Sequence, residues 1–218
     1  MNLDDYPRIG DWLALGADRL LVRTGKVDIG QRISTALAGI VEEELTLPQS
    51  SIAVQPVRTG ESPDEGMTSG SNSIEQSGRA VRLAAATLRR LILAHAAETM
   101  GGAPEDWRLE AGMVSGPGSN RPVPVLDLAR QIDLDQPVAT DLPPAPRGAP
   151  RSLPMRGLED LVTGRFRFIH DIELDGMLHA RVIRPPHARA RLAGIAEGAV
   201  ERLADEGFAV VRDGSFLA

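Results

Sequence analysis

Six prolines between residues 136 and 154 constrain this 218-residue chain more than any other feature of its sequence. They stand at positions 137, 143, 144, 146, 150 and 154. Because proline fixes its own φ and has no backbone N–H donor, such a segment cannot form a helix or a central strand. The sequence therefore predicts an extended linker at residues 136–157, between a domain at 1–135 and a second unit at 158–218.

The domain at 1–135 is predicted to combine strands with amphipathic helices. Residues 19–24 and 51–55 have the composition of short strands. Apolar side chains recur at helical spacing from Ile33 to Leu45, and again from Val81 to Ile92 before two glycines end the second helix. Because aromatic residues make up only 3% of the chain, the core is expected to consist of Ala, Leu, Val and Ile.

The unit at 158–218 is predicted to be rich in β-structure. Residues 165–169 (RFRFI) and 177–183 (MLHARVI) have the pattern of two strands joined near Gly176. A third strand ends at Asp213-Gly214, a pair that favours a tight hairpin. Since an isolated two-stranded hairpin is marginally stable and its second arm is short here, another polypeptide is expected to complete this sheet.

Composition excludes several classes of function. The chain has no cysteine, which excludes disulfides, thiolate metal sites and iron–sulfur ligation by its own residues. Its net charge is −6 and its basic residues are scattered among acids, which argues against binding nucleic acid. No apolar run approaches the roughly 20 residues of a membrane span, and the acidic N-terminus does not resemble a signal peptide. A cytoplasmic protein without a membrane span is expected.

Neither a catalytic group nor a protein-bound metal is expected from the ionisable residues. The four histidines match no zinc-binding spacing, and the sequence contains no triad or nucleophile motif. The acidic pairs and runs at residues 42–44 and 64–65 are predicted to be solvated charge.

Two loops that precede the helices are the candidate binding segments. Gly30 and Gln31 stand where a loop enters a helix, whose free N–H groups attract anions, although the pair could equally be a polar cap. Residues 66–73 (GMTSGSNS) are small and hydroxyl-rich, which suits close contact with a ligand but also suits a flexible surface loop. Their similar placement before two helices favours one shared ligand.

Several segments resemble the molybdopterin-binding subunits of the xanthine dehydrogenase/aldehyde oxidase family, and in particular its nicotinate and isoquinoline dehydrogenase branch. In the N-terminal domain these segments are 24–31 (TGKVDIGQ), 35–37 (TAL), 42–45 (EEEL), Thr59 with 62–66 (SPDEG), and 68–75 (TSGSNSIE). Beyond the linker, the segments that resemble the start of that family's α/β-hammerhead domain are 162–166 (VTGRF), 170–172 (HDI) and 176–186 (GMLHARVIRPP). The expected fold is α+β (α/β): a molybdopterin-binding α/β unit, a proline-rich linker and part of a hammerhead domain.

The resemblance implies a cofactor and the residues that bind it. The cofactor is molybdopterin with molybdenum, in its cytosine dinucleotide form. Gln31 would hydrogen-bond near the molybdenum and pterin end, and Gly70 and Ser71 would direct backbone N–H groups to the metal's oxo ligand and the pterin. The full set of implied cofactor-binding residues is Gly30, Gln31, Arg32, Thr68, Ser69, Gly70, Ser71, Asn72 and Ser73.

The resemblance also implies a reaction and partner chains. Family members hydroxylate aldehydes or N-heteroaromatic compounds with oxygen from water. Electrons leave through iron–sulfur clusters on a small subunit and then reach a flavin or a haem cytochrome subunit. The family's glutamate base lies in a region that this chain lacks, so a second molybdopterin-binding chain is expected to carry it, and no catalytic residue is expected here.

One residue departs from the family's pattern. Members usually have Gly-Gln-Gly where this chain has Gly30, Gln31 and Arg32. A bulky cation at this position could pair with a phosphate or could mark a degraded site. Two hypotheses follow: a subunit of a split molybdenum hydroxylase, or a non-catalytic binding or assembly protein.

Overall fold

A computed structural model describes residues 2–117, 121–145 and 153–218 of the chain. These residues form two compact units, the first ending at Phe166 and the second beginning at Arg167. Residues 146–152 of the predicted linker, which include Pro146 and Pro150, lie outside the described residues. The domain boundaries at 135 and 157 stay a prediction.

The first unit contains helices and short strands. Its α-helices are α1 (Asn2–Asp5), α2 (Ile9–Trp12), α3 (Ile33–Leu45), α4 (Arg79–Met100), α5 (Val125–Ala129) and α6 (Leu158–Val162). Its strands are β1 (Leu13–Leu15), β2 (Leu20–Val22), β3 (Ile52–Val54), β4 (Arg108–Glu110), β5 (Met113–Ser115) and β6 (Val123–Pro124). Single turns of 3₁₀-helix lie at Gln49–Ser51 and Pro104–Asp106, and a π-helix lies at Ser73–Gly78. The two predicted helices and the strands within 19–24 and 51–55 are confirmed, as is the α/β class.

The first sheet places both candidate loops at one edge. Its strand order is β1-β2-β3, with β1 antiparallel to β2 and β2 parallel to β3. Helix α3 connects the two parallel strands, whose register pairs Leu20 with Ile52 and Val22 with Val54. The first loop (residues 23–32) and the second loop (residues 55–72) therefore leave from the carboxyl ends of neighbouring parallel strands. In open α/β sheets this edge is where ligands bind.

The core lies between the first sheet and the helix pair α3–α4. The buried stripe of α4 includes Val81, Ala84, Ala85, Leu88 and Ile92, as its sequence pattern predicts. The start of α4 lies so close to α3 that a Cβ atom at Gly78 would be 3.1 Å from Ile40 Cδ1. The core is mainly aliphatic, with Trp12 and Trp107 as its buried tryptophans among the described residues.

Glu44 corrects the prediction that residues 42–44 are solvated charge. Its side chain is fully buried, and its carboxylate lies 2.9 Å from Arg82 Nη1 and 3.0 Å from Arg89 Nη1. It also accepts a hydrogen bond from the backbone N–H of Ala145. Burial works to lower the pKa of Arg82, but its hydrogen bonds to Glu43 and Glu44 raise that pKa overall. A buried ion-pair network, rather than solvated charge, therefore joins α3 to α4.

The start of the proline-rich segment pairs with the N-terminal residues of the first unit, to which it belongs. Pro137 forms an isolated antiparallel bridge with Arg8, and the N–H of Val138 donates to Pro7 O at 2.7 Å. The described residues of 136–157 form neither a helix nor a strand of a sheet, which agrees with the constraints that proline imposes.

The second unit has little regular structure. It contains a 3₁₀ turn at Ile169–Asp171, helix α7 (Ala199–Asp205) and an antiparallel hairpin of β7 (Arg212–Asp213) and β8 (Phe216–Leu217). The predicted hairpin is confirmed, with Gly214 at φ +55° in its two-residue turn.

The predicted strands at 165–169 and 177–183 are wrong. The structure assigns no strand to either segment, and the residues from 177 to 183 are solvent-exposed. One backbone hydrogen bond, from Ile183 N–H to Leu217 O, ties the second segment to the hairpin. An alternating pattern becomes a strand only where a neighbouring strand satisfies its backbone groups. None of the strands in the described residues pairs with either segment.

Candidate functional site

The two loops are fastened to each other by a buried carboxylate. Glu65 is 8% exposed. It accepts hydrogen bonds from Thr24 Oγ1 and the backbone N–H of Gly25, both at 2.7 Å, and from Ser77 Oγ at 2.5 Å. Glu65 thus joins the first loop, the second loop and the π-helix that leads into α4.

Glu65 corrects the prediction that the acidic pair at 64–65 is solvated charge. Its donors are 12 to 41 residues away in the sequence. Local spacing therefore cannot reveal that it has partners. Asp64 does remain exposed, and its carboxylate accepts a hydrogen bond from the N–H of Gly66.

Close packing next to Glu65 requires glycine and a buried lysine. A Cβ atom at Gly25 would lie 2.1 Å from Pro63 O, so no larger residue allows the loops to approach this closely. Lys26 is 4% exposed, and its Nζ donates to the carbonyl oxygens of Glu65 and Met67 at 2.5 and 3.3 Å. These contacts hold the second loop against the first as far as Met67.

The predicted residue Thr68 extends this contact, and Gln31 closes the first loop. Thr68 Oγ1 accepts a hydrogen bond from the N–H of Val27 at 2.9 Å. The exposed side chain of Gln31 donates to Val27 O at 2.9 Å and accepts from the N–H of Ile29 at 2.6 Å. A primary amide has two N–H donors and two acceptor lone pairs, so Gln31 keeps one donor and one acceptor for a ligand.

Gly30 and Arg32 differ sharply in their surroundings. Gly30 has φ +110° and is exposed, and a Cβ atom there would meet no described atom within 4 Å. Arg32, the residue before α3, has φ +56° and is only 5% exposed. Its guanidinium carbon lies 4.2 Å from the centre of the Phe166 ring. Its Nε and Nη2 atoms are buried and have no hydrogen-bond partner among the described residues.

The remaining predicted residues form the tip of the second loop. Ser69, Gly70 and Ser71 are exposed, and Asn72 and Ser73 are half-buried. Gly70 and Ser71 have φ +66° and +59°. Left-handed backbone at the non-glycine Ser71 costs roughly 1 kcal/mol, and such strain tends to occur where loops bind ligands. The π-helix at Ser73–Gly78 is also a form found mostly near functional sites.

The site offers binding groups rather than catalytic ones. Among the residues that the structure describes, no cluster of three or more His, Asp or Glu side chains could hold a metal ion. No helix in the described ranges is long and apolar enough to cross a membrane.

Comparison with known proteins identifies the family of this chain. Residues 15–141, more than half of its length, match the family described as the molybdopterin cofactor-binding domain. The chain belongs to this family. The matched range contains both loops of this molybdopterin-binding domain and all nine residues that the sequence resemblance implies as cofactor contacts.

Two curated relatives support this assignment. The chain is 37% identical over 169 residues to a nicotinate dehydrogenase subunit of Pseudomonas putida, an alignment that covers 75% of this chain and 14% of the relative. It is 32% identical over 117 residues to the gamma subunit of the 6-hydroxypseudooxynicotine dehydrogenase complex of Paenarthrobacter nicotinovorans, covering 54% of this chain and 15% of that one. The chain thus spans about one seventh of the length of the relatives it matches. The resemblance to a part of a molybdenum hydroxylase subunit is confirmed.

Solved structures show weaker likeness. Quinoline 2-oxidoreductase from Pseudomonas putida 86 superposes with a TM-score of 0.45 at 22% identity, over 56% of this chain and 15% of that one. Reconstituted CO dehydrogenase from Oligotropha carboxidovorans superposes with a TM-score of 0.48 at 22% identity, over 53% of this chain and 15% of that one. At these scores the superpositions add nothing to the family assignment.

Proposed function

We propose that the two loops form one side of the molybdopterin site of a split molybdenum hydroxylase that oxidises an aldehyde or an N-heteroaromatic compound. The observation that carries the proposal is the fastening of both loops by Glu65 at the carboxyl edge of β2 and β3. This arrangement presents Gly30, Gln31 and the exposed second-loop tip on segments that are held together.

The residues at this edge fit a large polar cofactor. Open space at Gly30 admits a flat ring system close to the backbone. Gln31 retains hydrogen-bonding capacity for a heterocycle. Arg32 has two donors without partners among the described residues, which suits a phosphate of the cytosine dinucleotide form.

The nine predicted residues would divide the binding between them. Gly30, Gln31 and Arg32 would hold the cofactor from the first loop. The second loop would contribute Thr68, Ser69, Gly70, Ser71, Asn72 and Ser73. When bound, molybdopterin with molybdenum supplies the oxidation of substrate with oxygen from water. The part of this chain is to bind and orient the cofactor, and Glu65 holds the two binding loops in register.

Partner chains complete the proposed enzyme. Following the resemblance to the family, we assign the catalytic glutamate to a second molybdopterin-binding chain. An iron–sulfur small subunit and a flavin or haem cytochrome subunit would remove the electrons, and the assembly would be cytoplasmic. The relatives support this because one is named as a subunit and the other as a subunit of a dehydrogenase complex. The first relative's name also contains nicotinate, an N-heteroaromatic compound.

A non-catalytic binding or assembly protein is the second candidate. The observation that favours it is Arg32, which stands where the family usually has glycine and is buried under Phe166. Such a protein would retain the α/β unit without holding molybdenum.

Metal and nucleotide analysis of the chain, purified from its native host with the proteins that accompany it, tests the proposal. We expect molybdenum and a cytosine nucleotide in comparable amounts, together with an iron–sulfur subunit and a larger chain. A chain that is isolated alone and contains no molybdenum would contradict the split hydroxylase and favour the assembly protein.

A further inference from the structure

Arg32 is a buried charge with two donor atoms that have no hydrogen-bond partner among the described residues. It is 5% exposed, and the two atoms are Nε and Nη2. The Asp28 carboxylate at the same helix end bonds instead to the N–H and hydroxyl of Ser34. Neither Nε nor Nη2 has a described carboxylate as its partner.

The position of Arg32 makes this arrangement unfavourable in three ways. Burying a charged donor without a partner is strongly destabilising. Arg32 also precedes the 13-residue helix α3, whose N-terminal end carries a partial positive charge that repels a cation. Its φ of +56° is a conformation that arginine rarely adopts. A negatively charged ligand would relieve the first two of these penalties.

The identity of the two free atoms indicates the shape of that ligand. Nε and Nη2 lie on one edge of the planar guanidinium, and their N–H bonds point in parallel. This edge matches two oxygens of a single phosphoryl or carboxylate group. A dinucleotide cofactor carries phosphoryl groups and would bring one to the first loop.

Phe166 packs on the guanidinium group of Arg32. Its ring lies 4.2 Å from the guanidinium carbon, a cation–π contact that partly compensates the charge. Because Nε and Nη2 are buried, a ligand reaches them only if the ring or the adjoining loop moves.

We propose that Arg32 binds a phosphoryl oxyanion through its Nε–Nη2 edge, and that the ligand gains access to this edge when Phe166, which packs on the guanidinium, moves with the adjoining loop. The choice of a cofactor phosphoryl group as the natural ligand rests on the proposed function. The oxyanion site itself rests on the contacts of Arg32.

Titration of the 218-residue chain with inorganic pyrophosphate tests this proposal. Affinity is measured by ³¹P NMR at constant ionic strength, and the Arg32 Nε–H resonance of ¹⁵N-arginine-labelled protein identifies the residue that responds. We expect Arg32→Lys, which keeps the charge but loses the paired donors, to weaken binding by at least about tenfold. Arg90→Lys, at an exposed position of α4, is the matched control and should leave the affinity unchanged.

Phe166→Ala should have the opposite effect. Without the ring the ligand need not displace a cation–π contact, so affinity should rise by about threefold to tenfold. Phe208→Ala, at a phenylalanine that is 62% exposed, is the control. Opposite signs for Arg32→Lys and Phe166→Ala would support a covered binding site, because a purely structural Arg32–Phe166 contact predicts no change in pyrophosphate affinity for either variant.

A second Arg32 variant and a second ligand complete the test. Arg32→Gly removes the side chain and relieves the positive φ, so it serves if Arg32→Lys folds poorly and should also lose binding. Absence of pyrophosphate binding by the wild type, or equal affinities across the series, would overturn the proposal. An equal response of the Arg32 resonance to acetate would assign the edge to a carboxylate and overturn the phosphoryl assignment.

The two proposals can fail separately. If the chain binds pyrophosphate through Arg32 but carries no molybdenum, the split hydroxylase is contradicted and the oxyanion site is supported. If the chain contains molybdenum and a cytosine nucleotide but its Arg32 variants bind pyrophosphate normally, the oxyanion site is contradicted and the split hydroxylase is supported.

Discussion

At the scale of single residues, Glu65 holds the first and second loops together. Its Oε2 accepts from Thr24 and Gly25, and its Oε1 accepts from Ser77. The carboxylate is buried, so each of these donors would lose its acceptor away from water if the side chain were removed. A buried donor left without a partner costs about 1–3 kcal/mol.

Replacing Glu65 therefore has a graded effect on stability. We expect Glu65→Ala to lower the free energy of unfolding by about 3 kcal/mol, measured by urea denaturation. Glu65→Gln should lose less stability. The Ser77 hydroxyl can rotate to accept a hydrogen bond from the amide N–H, while Thr24 and Gly25 still donate to the amide oxygen. Asp64→Ala, at the exposed neighbouring acid, should change stability by less than about 1 kcal/mol. Equal losses at both positions would show that Glu65 does not fasten the loops.

At the scale of elements, the Glu44 network fixes α3 against α4. Glu44 is fully buried between Arg82 and Arg89, each of which is 20% exposed at its side chain. The same carboxylate accepts from Ala145, so the segment that follows the first unit's last strand is attached to the helix pair as well. Removing one partner of a buried pair leaves the others without compensation.

Glu43 and Glu44 offer a matched comparison, since both contact Arg82 but only one is buried. We expect Glu44→Gln to lower the free energy of unfolding by about 3 kcal/mol, because two arginines lose their buried counter-charge. The Glu43 side chain is 50% exposed, so Glu43→Gln should cost less than about 1 kcal/mol. Urea denaturation of the two variants measures both values. Similar losses would mean that solvent screens the Glu44 network as well.

At the scale of the whole molecule, local patterns predicted the elements but not the contacts between them. Each of three local features, the apolar stripe of α3, the apolar stripe of α4 and the turn at Gly214, depends on residues that are close to one another in the sequence. All three are confirmed. The roles of Glu44 and Glu65 depend on partners distant in sequence, which periodicity does not contain.

The same reasoning explains what the sequence predicted about the site and what it missed. The small residues of both loops identified the segments that the structure brings together, since Val27 bonds to Thr68. The burial of Arg32 under Phe166 could not be predicted, because 134 positions separate the two residues. The strands expected at 165–169 and 177–183 failed because strand pattern alone supplies no hydrogen-bond partner.

The contrast between the two units predicts how each exchanges its amide hydrogens. The described residues of the second unit include none that is buried, whereas α4 alone contributes eleven buried residues to the first. Amides open most readily where few apolar contacts hold the backbone. In hydrogen–deuterium exchange followed by mass spectrometry, peptides from α3, α4 and β2 should stay protected long after those from residues 167–210 have exchanged.

The hairpin β7–β8 is the internal control for this experiment. Reciprocal hydrogen bonds between Val211 and Ala218 extend its pairing, so its amides should exchange more slowly than those of residues 177–183 but faster than those of α4. The amides around Ile169 and Leu178, whose side chains are 87% and 88% exposed, should become strongly protected only when another polypeptide covers them. Strong protection of residues 167–210 in the chain alone, persisting at concentrations where it is monomeric, would contradict this view and would mean that the second unit has a core of its own.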